Sequence, residues 1–301
     1  MAWFYILLIW STYDIMVKNK RGFCMTAKIT KAIIPVAGWG TRRLPITKVI
    51  EKSMLPVGNR PLVDYSVQEL IKAGVKDIYM VVSNVEPCQV RAFYQDNLAL
   101  NRYLVDRGKE DKLEKAKTLP DDVRMHYVAQ DPSAKYGTAV PIAMVVEEFK
   151  IDEPVLVFMG DDFIWNPGGE SAAEALVKAS GGTEAAILGV EIPKSEVEKY
   201  GVLSVEDGKL SSVVEKPKPE NAPSNLINVS KYVMTPDLLQ RIVKYVNENN
   251  FGPTDQEYMV TDPIDEFIRD GGVMKVAATS GEYLDGGSVE GWVHANEVVC
   301  R

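Results

Sequence analysis

The chain has 301 residues, 46% of them hydrophobic and 25% charged, as expected of an ordinary soluble globular protein with one large or two modest domains. Its net charge of −8, from 34 basic and 42 acidic side chains, argues against nucleic-acid binding through an overall basic surface but not against a phosphorylated ligand held by a few local cations. Three scattered cysteines form neither a metal spacing nor a disulfide framework, and the two histidines, His126 and His294, give no basis for a zinc site or a His-based catalytic pair, so the cytoplasm is the expected compartment.

The run Ala2 to Trp10 is uniformly apolar and aromatic. It falls short of the roughly 20 residues that span a bilayer. It has no basic residue ahead of it and no small-x-small cleavage site, so it does not read as a signal peptide. Two readings of the extension 1–28 stand: an upstream start codon, with Met25 as the natural start, or a peripheral membrane tether. Residues 29–37 follow as a buried strand with Ile33, Ile34, Val36 and Ala37. A run apolar on both faces suits a central parallel strand. A loop rich in glycine, proline and cations covers 38–61. Val63, Val67, Leu70 and Ile71 then recur at the helical period, with Gly74 at the C-cap position. Asp77 to Ser83 is a second strand, which completes a βαβ unit.

Residues 87–118 are expected to be helical, with Lys109, Glu110, Asp111, Lys112, Glu114 and Lys115 as a solvated face. A third strand covers 124–129, and a helix opens at Tyr136-Gly137-Thr138 and runs through Ile142, Val145 and Val146. Pro154 to Met159 is the most apolar strand and ends in Gly160-Asp161-Asp162. A helix over Ala172–Ser180 and a strand over Glu184–Val190 follow. This alternation predicts an α/β fold, a Rossmann-like doubly wound sheet, mixed but mainly parallel. Ligands in such sheets bind beyond the carboxyl ends of the strands, where the loops 38–56, 130–138 and 160–163 are expected to converge. After about residue 195 a hairpin around Asp207-Gly208 forms a small β subdomain or lid within 195–235. A strand at 225–234, helices at 236–248 and 262–270, a strand at 273–278 and a helix at 288–299 complete a single domain over 29–301.

The chemistry-bearing residues lie mostly where strands end. Gly38 and Gly40 let backbone N–H groups approach a phosphate, and Thr41, Arg42, Arg43 and Lys52 bring hydroxyl and positive charge. Arg43 stands where a dinucleotide fingerprint needs its third glycine, and no Gly-Lys-Ser/Thr of a P-loop follows. The same Gly-x-Gly also serves as a simple tight turn. Asp161 and Asp162 close an apolar strand, which suits a hard cation such as Mg²⁺ but also a helix cap or turn. Asp285, before Gly286-Gly287, is a second candidate carboxylate. Lys216 leaves a strand next to Pro217, and Gln130 ends another. Asp262 and Asp265 are expected to cap the helix at 262–270. Cations, a carboxylate pair and no evident nucleophile fit phosphoryl or nucleotidyl transfer, in which the substrate is itself the nucleophile.

The set Gly38-Trp39-Gly40-Thr41-Arg42, Lys52-Ser53-Met54-Leu55-Pro56, Tyr200-Gly201-Val202 and Val214-Glu215-Lys216-Pro217 resembles the signature of sugar-1-phosphate nucleotidyltransferases. With Pro223-Ser224-Asn225-Leu226 and Glu257 to Asp265, the longer resemblance is to prokaryotic UTP–glucose-1-phosphate uridylyltransferases, over roughly 29–297. The resemblance implies attack of glucose 1-phosphate on the α-phosphorus of UTP, with a thymidylyltransferase using dTTP or a non-catalytic sugar-nucleotide binder as alternatives. It implies that Arg42, with Ala37, Gly38, Gly40 and Thr41, holds the triphosphate, and that Lys52 stabilises charge at the α-phosphate. Asp161 and Asp285 would hold Mg²⁺. Lys216 would grip the sugar phosphate, with Glu215 and the Gly201 backbone at the ring. Gln130 and the backbone at Gly137 would read the base. The implied partners are these small molecules, without nucleic acid or membrane, and the family admits homo-oligomers.

Departures from the family pattern are specific. Glu51 stands where proline is usual, next to the key lysine. The base-reading segment runs Gln130-Asp131-Pro132-Ser133-Ala134-Lys135-Tyr136-Gly137 in place of the usual Leu-Gly-His-Ala ending. Family members continue past the last helix, so their oligomer contacts are expected to be absent or different here.

Overall fold

The computed structural model describes residues 28–131, 133–252 and 256–301. The choice between an upstream start and a tether turns on residues 1–27, which lie outside the described residues. In chain order, β1 (Lys31–Pro35) leads through three 3-10 turns to a short hairpin, β2 (Pro56–Val57) and β3 (Arg60–Pro61). Next come α1 (Leu62–Lys72), β4 (Asp77–Ser83), α2 (Gln89–Tyr94), α3 (Leu98–Asp106), α4 (Leu113–Ala116) and β5 (Arg124–Gln130). The middle of the chain holds α5 (Ala139–Phe149), β6 (Val155–Phe158), β7 (Asp162–Trp165), α6 (Ala172–Ser180) and β8 (Ala185–Glu191). The hairpin β9 (Gly201–Glu206) and β10 (Lys209–Glu215) precedes β11 (Leu226–Met234) and α7 (Pro236–Glu248). The chain finishes with α8 (Thr261–Arg269), β12 (Met274–Ala278), β13 (Glu282–Asp285) and α9 (Val289–Val299).

Nine strands form one sheet in the order β5-β4-β1-β6-β11-β8-β12-β10-β9. β5, β4, β1 and β6 run parallel, so their carboxyl ends share one edge. β11 lies antiparallel between β6 and β8, and β12 runs parallel to β8. The sheet is therefore mixed. Successive side chains of β1 serve opposite faces, as an extended strand requires. Ile34, with Met80 and Phe158, joins Val67 and Leu70 of α1 and Leu176 of α6 in one core. Ile33, with Val81 and Val157, joins Ile142 of α5, Leu239 of α7 and Ile264 of α8 in the other. Burying each such side chain contributes roughly 1.5–3 kcal/mol.

The hairpin β9–β10 turns at Asp207 (φ 49°) and Gly208 (φ 72°), the two positive φ values that a type I′ turn demands. β9 also pairs with β11 through Val202 and Ile227, so β11, β8, β12, β10 and β9 close on themselves. The hairpin is thus continuous with the main sheet.

Several sequence expectations are corrected. The charged stretch 87–118 is not one helix. Asn97 caps α3 by accepting from Leu100 N at 2.9 Å, and Gly108 at φ 62° follows that helix. Asp262 and Asp265 do not cap α8. That helix already begins at Thr261, without any side-chain cap, and Asp262 accepts instead from Tyr245 Oη. The two-stranded ladder β7–β13 has no counterpart in the sequence reading. Its Phe163 and Leu284 pack with Leu62 and with Ala295 and Trp292 of α9 in a small third core. Among the described residues no helix is long and apolar enough to cross a membrane.

Candidate active site

The loop after β1 is built around Gly40, whose φ of 62° lies in the left-handed region. A Cβ there would meet Lys52 Cβ at 3.0 Å and Thr47 Cγ2 at 3.1 Å. Thr47 Oγ1 donates to Gly40 O at 2.9 Å. The turn therefore packs directly on the stem of Lys52. Ala37, half-buried, and Gly38, where a Cβ would meet nothing within 4 Å, precede it, and Thr41 and Arg42 are exposed. Lys52 Nζ forms an ion pair with Asp161 Oδ2.

Asp161 and Asp162 point to different places. Asp162 begins β7 and lies opposite Asp285 of β13, while Asp161 O accepts from Gly286 N at 2.9 Å. The ladder thus sets Asp161 next to Asp285. A Cβ on Gly287 would lie 2.9 Å from Asp285 Oδ1 and 3.8 Å from Asp161 Oδ2. Both carboxylates border the space beside Gly287, where Asp285 Oδ1 accepts from Gly287 N at 2.6 Å and Oδ2 from Ser288 Oγ at 3.2 Å. Burial raises the pKa of Asp161, but the charge and hydrogen bond of Lys52, with Lys231 and Arg42 beyond, outweigh it and hold the carboxyl below its ordinary value. Asp162 instead ion-pairs through Oδ1 with Lys231, whose side chain is 0% exposed. Its Oδ2 accepts from Tyr283 Oη at 3.1 Å. Burial, opposed by Lys231 but reinforced by the charge of Asp161, raises its carboxyl to about 6. Asp162 is thus engaged on both carboxylate oxygens from inside the core, whereas Asp161 is held by Lys52 at the loop after β1.

Two hard oxygen donors facing one gap suit a divalent cation that completes its shell with water and phosphate oxygens. Among the described residues, no three His, Cys, Asp or Glu side chains cluster as an all-protein metal cage.

Arg43, expected from the sequence to bring positive charge to the phosphate loop, turns inward instead. It is 2% exposed, donates from Nη1 to Gly286 O, and lies 5.3 Å over the Trp292 ring. It ties the glycine turn to the turn carrying Asp285. Burial lowers its pKa, while Asp285 and Asp161 pull it back up. Trp292 Nε1 in turn donates to Pro56 O at 2.7 Å, so α9 braces the loop that bears Lys52. Lys231 and Tyr283, which hold Asp162, were missed. The only signal for Lys231 was a lone charge inside a largely apolar strand.

Glu51 does not face Lys52. Its Oε1 accepts from Gln89 N, and its own N–H donates to Gln89 Oε1 at 2.9 Å. Burial raises its carboxyl, and the N–H groups of Gln89 and Val90 oppose this. The anion sits at the start of α2, where a helix favours negative charge. The departure at Glu51 is thereby given a structural role.

On the far side of the gap, Gly201 lies opposite Glu215, and a Cβ on Gly201 would meet Glu215 Oε1 at 3.0 Å. Burial raises the Glu215 carboxyl, and Lys216 partly offsets this. Lys216 holds φ 45°, unusual for a side-chain-bearing residue, and its N–H donates to Tyr200 O at 3.0 Å. The Tyr200 ring lies 6.0 Å from that of Tyr283, which connects this segment to the carboxylates.

Gln130 and Gly137 lie on the same edge, at β5, two strands from β1. Gln130 Nε2 reaches Lys135 O at 3.4 Å. Gly137, at φ 139°, is required by the Tyr258 backbone, whose N and O would each lie 2.4 Å from a Cβ. No direct contact joins these two residues to the Lys52–Asp161 pair.

The fold and this set of groups define a nucleotidyl transferase, and the chain belongs to that family, whose profile matches residues 31–301. It is similar to the UTP–glucose-1-phosphate uridylyltransferase of Pseudomonas aeruginosa, 32% identical over 273 residues covering 89% of this chain and 94% of that relative. The enzyme of the same name from Streptococcus pneumoniae is 33% identical and covers 80% of each chain. A UTP-bound UGPase from Acinetobacter baumannii superposes with a TM-score of 0.79 at 25% identity, covering 90% of this chain and 93% of that one. A UDP-glucose pyrophosphorylase complexed with UDP-glucose superposes with a TM-score of 0.73 at 27% identity, covering 90% and 98%.

Proposed function

We propose that this chain is a UTP–glucose-1-phosphate uridylyltransferase. The observation that carries the reading is Lys52 paired with Asp161 beside Asp285, on a glycine turn at the carboxyl edge of the sheet. A phosphate oxygen of glucose 1-phosphate attacks the α-phosphorus of UTP in line. The bond from the α-phosphorus to the bridging oxygen breaks, and pyrophosphate leaves with the electron pair. No side-chain nucleophile is needed, so the protein supplies position and charge.

In this reading the amides of Ala37 to Thr41, with Arg42, hold the triphosphate. Lys52 leaves Asp161 to meet the charge that grows at the α-phosphate. Lys216 grips the sugar phosphate, and Glu215 accepts from sugar hydroxyls above Gly201. Gln130 and the segment at Gly137 face the base. Asp161 and Asp285 would hold the cation, for which Mg²⁺ is the hard ion of matching chemistry, supplying neutralisation of the phosphate oxygens. A cytoplasmic location fits UTP and glucose 1-phosphate as substrates, and a homo-oligomer is compatible with the family.

Pyrophosphate release from UTP or dTTP with glucose 1-phosphate tests the reading. UTP is expected to turn over faster. Preference for dTTP would make the chain a thymidylyltransferase, and no turnover with either would refute the enzyme reading.

A further inference from the structure

Lys231 is a fully buried cation behind the carboxylate pair. Burying an ammonium costs several kcal/mol unless its partners are well placed, so such a pair is weak evidence of a purely stabilising role. The backbone delivers it deliberately. Ser230 adopts φ 52°, its N–H donates to Asn228 Oδ1 at 2.8 Å, and the pairing of β11 with β8 shifts register between Asn228 and Tyr232. A bulge of this kind re-aims the side chain next to it. Lys231 Nζ then bonds Asp162 Oδ1 and lies 3.4 Å from Asp162 O. Ser66 Oγ donates to the same carbonyl at 3.2 Å, and Tyr283 Oη to the other carboxylate oxygen at 3.1 Å. Asp162 is therefore held from α1, β11 and β13 at once. Asp161 is the turn residue directly ahead of it, with its carbonyl accepting from Gly286 N and its carboxylate turned to Lys52.

We propose that Lys231 is a positioning residue for the Asp161–Asp285 pair: by anchoring Asp162 in the core, it fixes the direction in which the Asp161 carboxylate faces Asp285. The inference rests on the reading of that pair as a divalent-cation site. Partners of this kind behind metal ligands are commonly worth about 10–100-fold in metal affinity.

The test uses the full chain with Mn²⁺ as probe, free Mn²⁺ being read by electron paramagnetic resonance, alongside thermal unfolding. Lys231→Met is expected to weaken Mn²⁺ binding at least about tenfold, and Lys231→Arg, which restores the charge, to stay within about threefold of wild type. A folded Lys231→Met chain with unchanged Mn²⁺ affinity would overturn the proposal and leave Lys231 a merely structural residue. Should Lys231→Met not fold, Tyr283→Phe decides: it removes one anchor of Asp162 and is expected to weaken Mn²⁺ binding about threefold, an unchanged affinity overturning the proposal. A wild-type chain that binds no Mn²⁺ overturns it together with the metal assignment. Turnover of UTP and glucose 1-phosphate by the same preparation is read separately and judges the enzyme reading by itself.

Discussion

Lys52 Nζ and Asp161 Oδ2 are bound to each other across 109 residues of sequence. The oxygen that Lys52 holds faces the same gap as Asp285 Oδ1. Under the proposed reading, a cation held there would compete with Lys52 for this oxygen and release the lysine toward substrate.

Lys52→Ala is expected to lower kcat at least about a hundredfold, the scale of losing one preorganised charge. Mn²⁺ should bind this variant more tightly than wild type, because a competing cation is gone. Asp161→Ala should lose turnover to a similar extent and Mn²⁺ binding with it. Turnover within a few-fold of wild type in either variant, or weaker Mn²⁺ binding by Lys52→Ala, would contradict the exchange.

Gly40→Ala tests how the turn supports Lys52. The new Cβ meets the lysine stem at 3.0 Å and strains a left-handed residue. A strain of about 1–2 kcal/mol should lower the unfolding midpoint modestly, and displacement of Lys52 should lower kcat about tenfold. Steady-state kinetics beside calorimetry separates the two effects.

Glu51→Ala should behave in the opposite way. The carboxylate it removes caps α2 and does not face the gap. Urea unfolding should show a loss of about 1 kcal/mol, with kcat within threefold of wild type. A hundredfold loss of kcat would return Glu51 to the catalytic machinery.

Glu69 gives the fold a pH dependence. Burial raises its carboxyl from 4.5 to about 7, with Lys231 opposing and Asp162 reinforcing the shift. The folded chain keeps this proton where the unfolded chain has lost it. The contribution is therefore fully present below pH 4.5 and is lost as pH rises through about 7. Glu69→Gln removes the titration. It should match wild type near pH 4.5 and exceed its stability by about 3 kcal/mol above pH 8, as read by denaturant unfolding across that range.

Lys216→Ala should raise KM for glucose 1-phosphate at least about tenfold with a smaller change in kcat, since a point charge holds the sugar phosphate in both ground and transition states. An unchanged KM would remove Lys216 from that pocket.

The strands and helices that carry their own period were legible from sequence. β4, α6 and the β9–β10 hairpin lie where alternation, helical spacing and the Asp-Gly turn put them. The segment 87–118 was misread because its charge pattern outweighed two short breaks, Asn97 and Gly108. β7 and β13 are four residues each and pair across a long stretch of chain, so neither has a periodic signal of its own. The same limit applies to the site. Lys52, Asp161 and Asp285 stand in recognisable loops. Arg43 and Lys231 are recruited by tertiary packing, one by the turn at Gly286 and the other by a bulge, so a linear reading of charge assigns Arg43 to the phosphate loop and passes over Lys231.

Because β7 begins at Asp162, two consecutive carboxylates leave the chain in opposite directions, one toward Lys52 and one toward Lys231. Removing a single residue between Gly160 and Phe163 would leave one acid for these two sites, and adding one would put the chain ahead of β7 out of step with its ladder. Chain length at this step is therefore a stricter constraint than residue type. The exposed stretch 107–112 carries no such coupling, and there the fold can accept insertions without disturbing the register of the ladder.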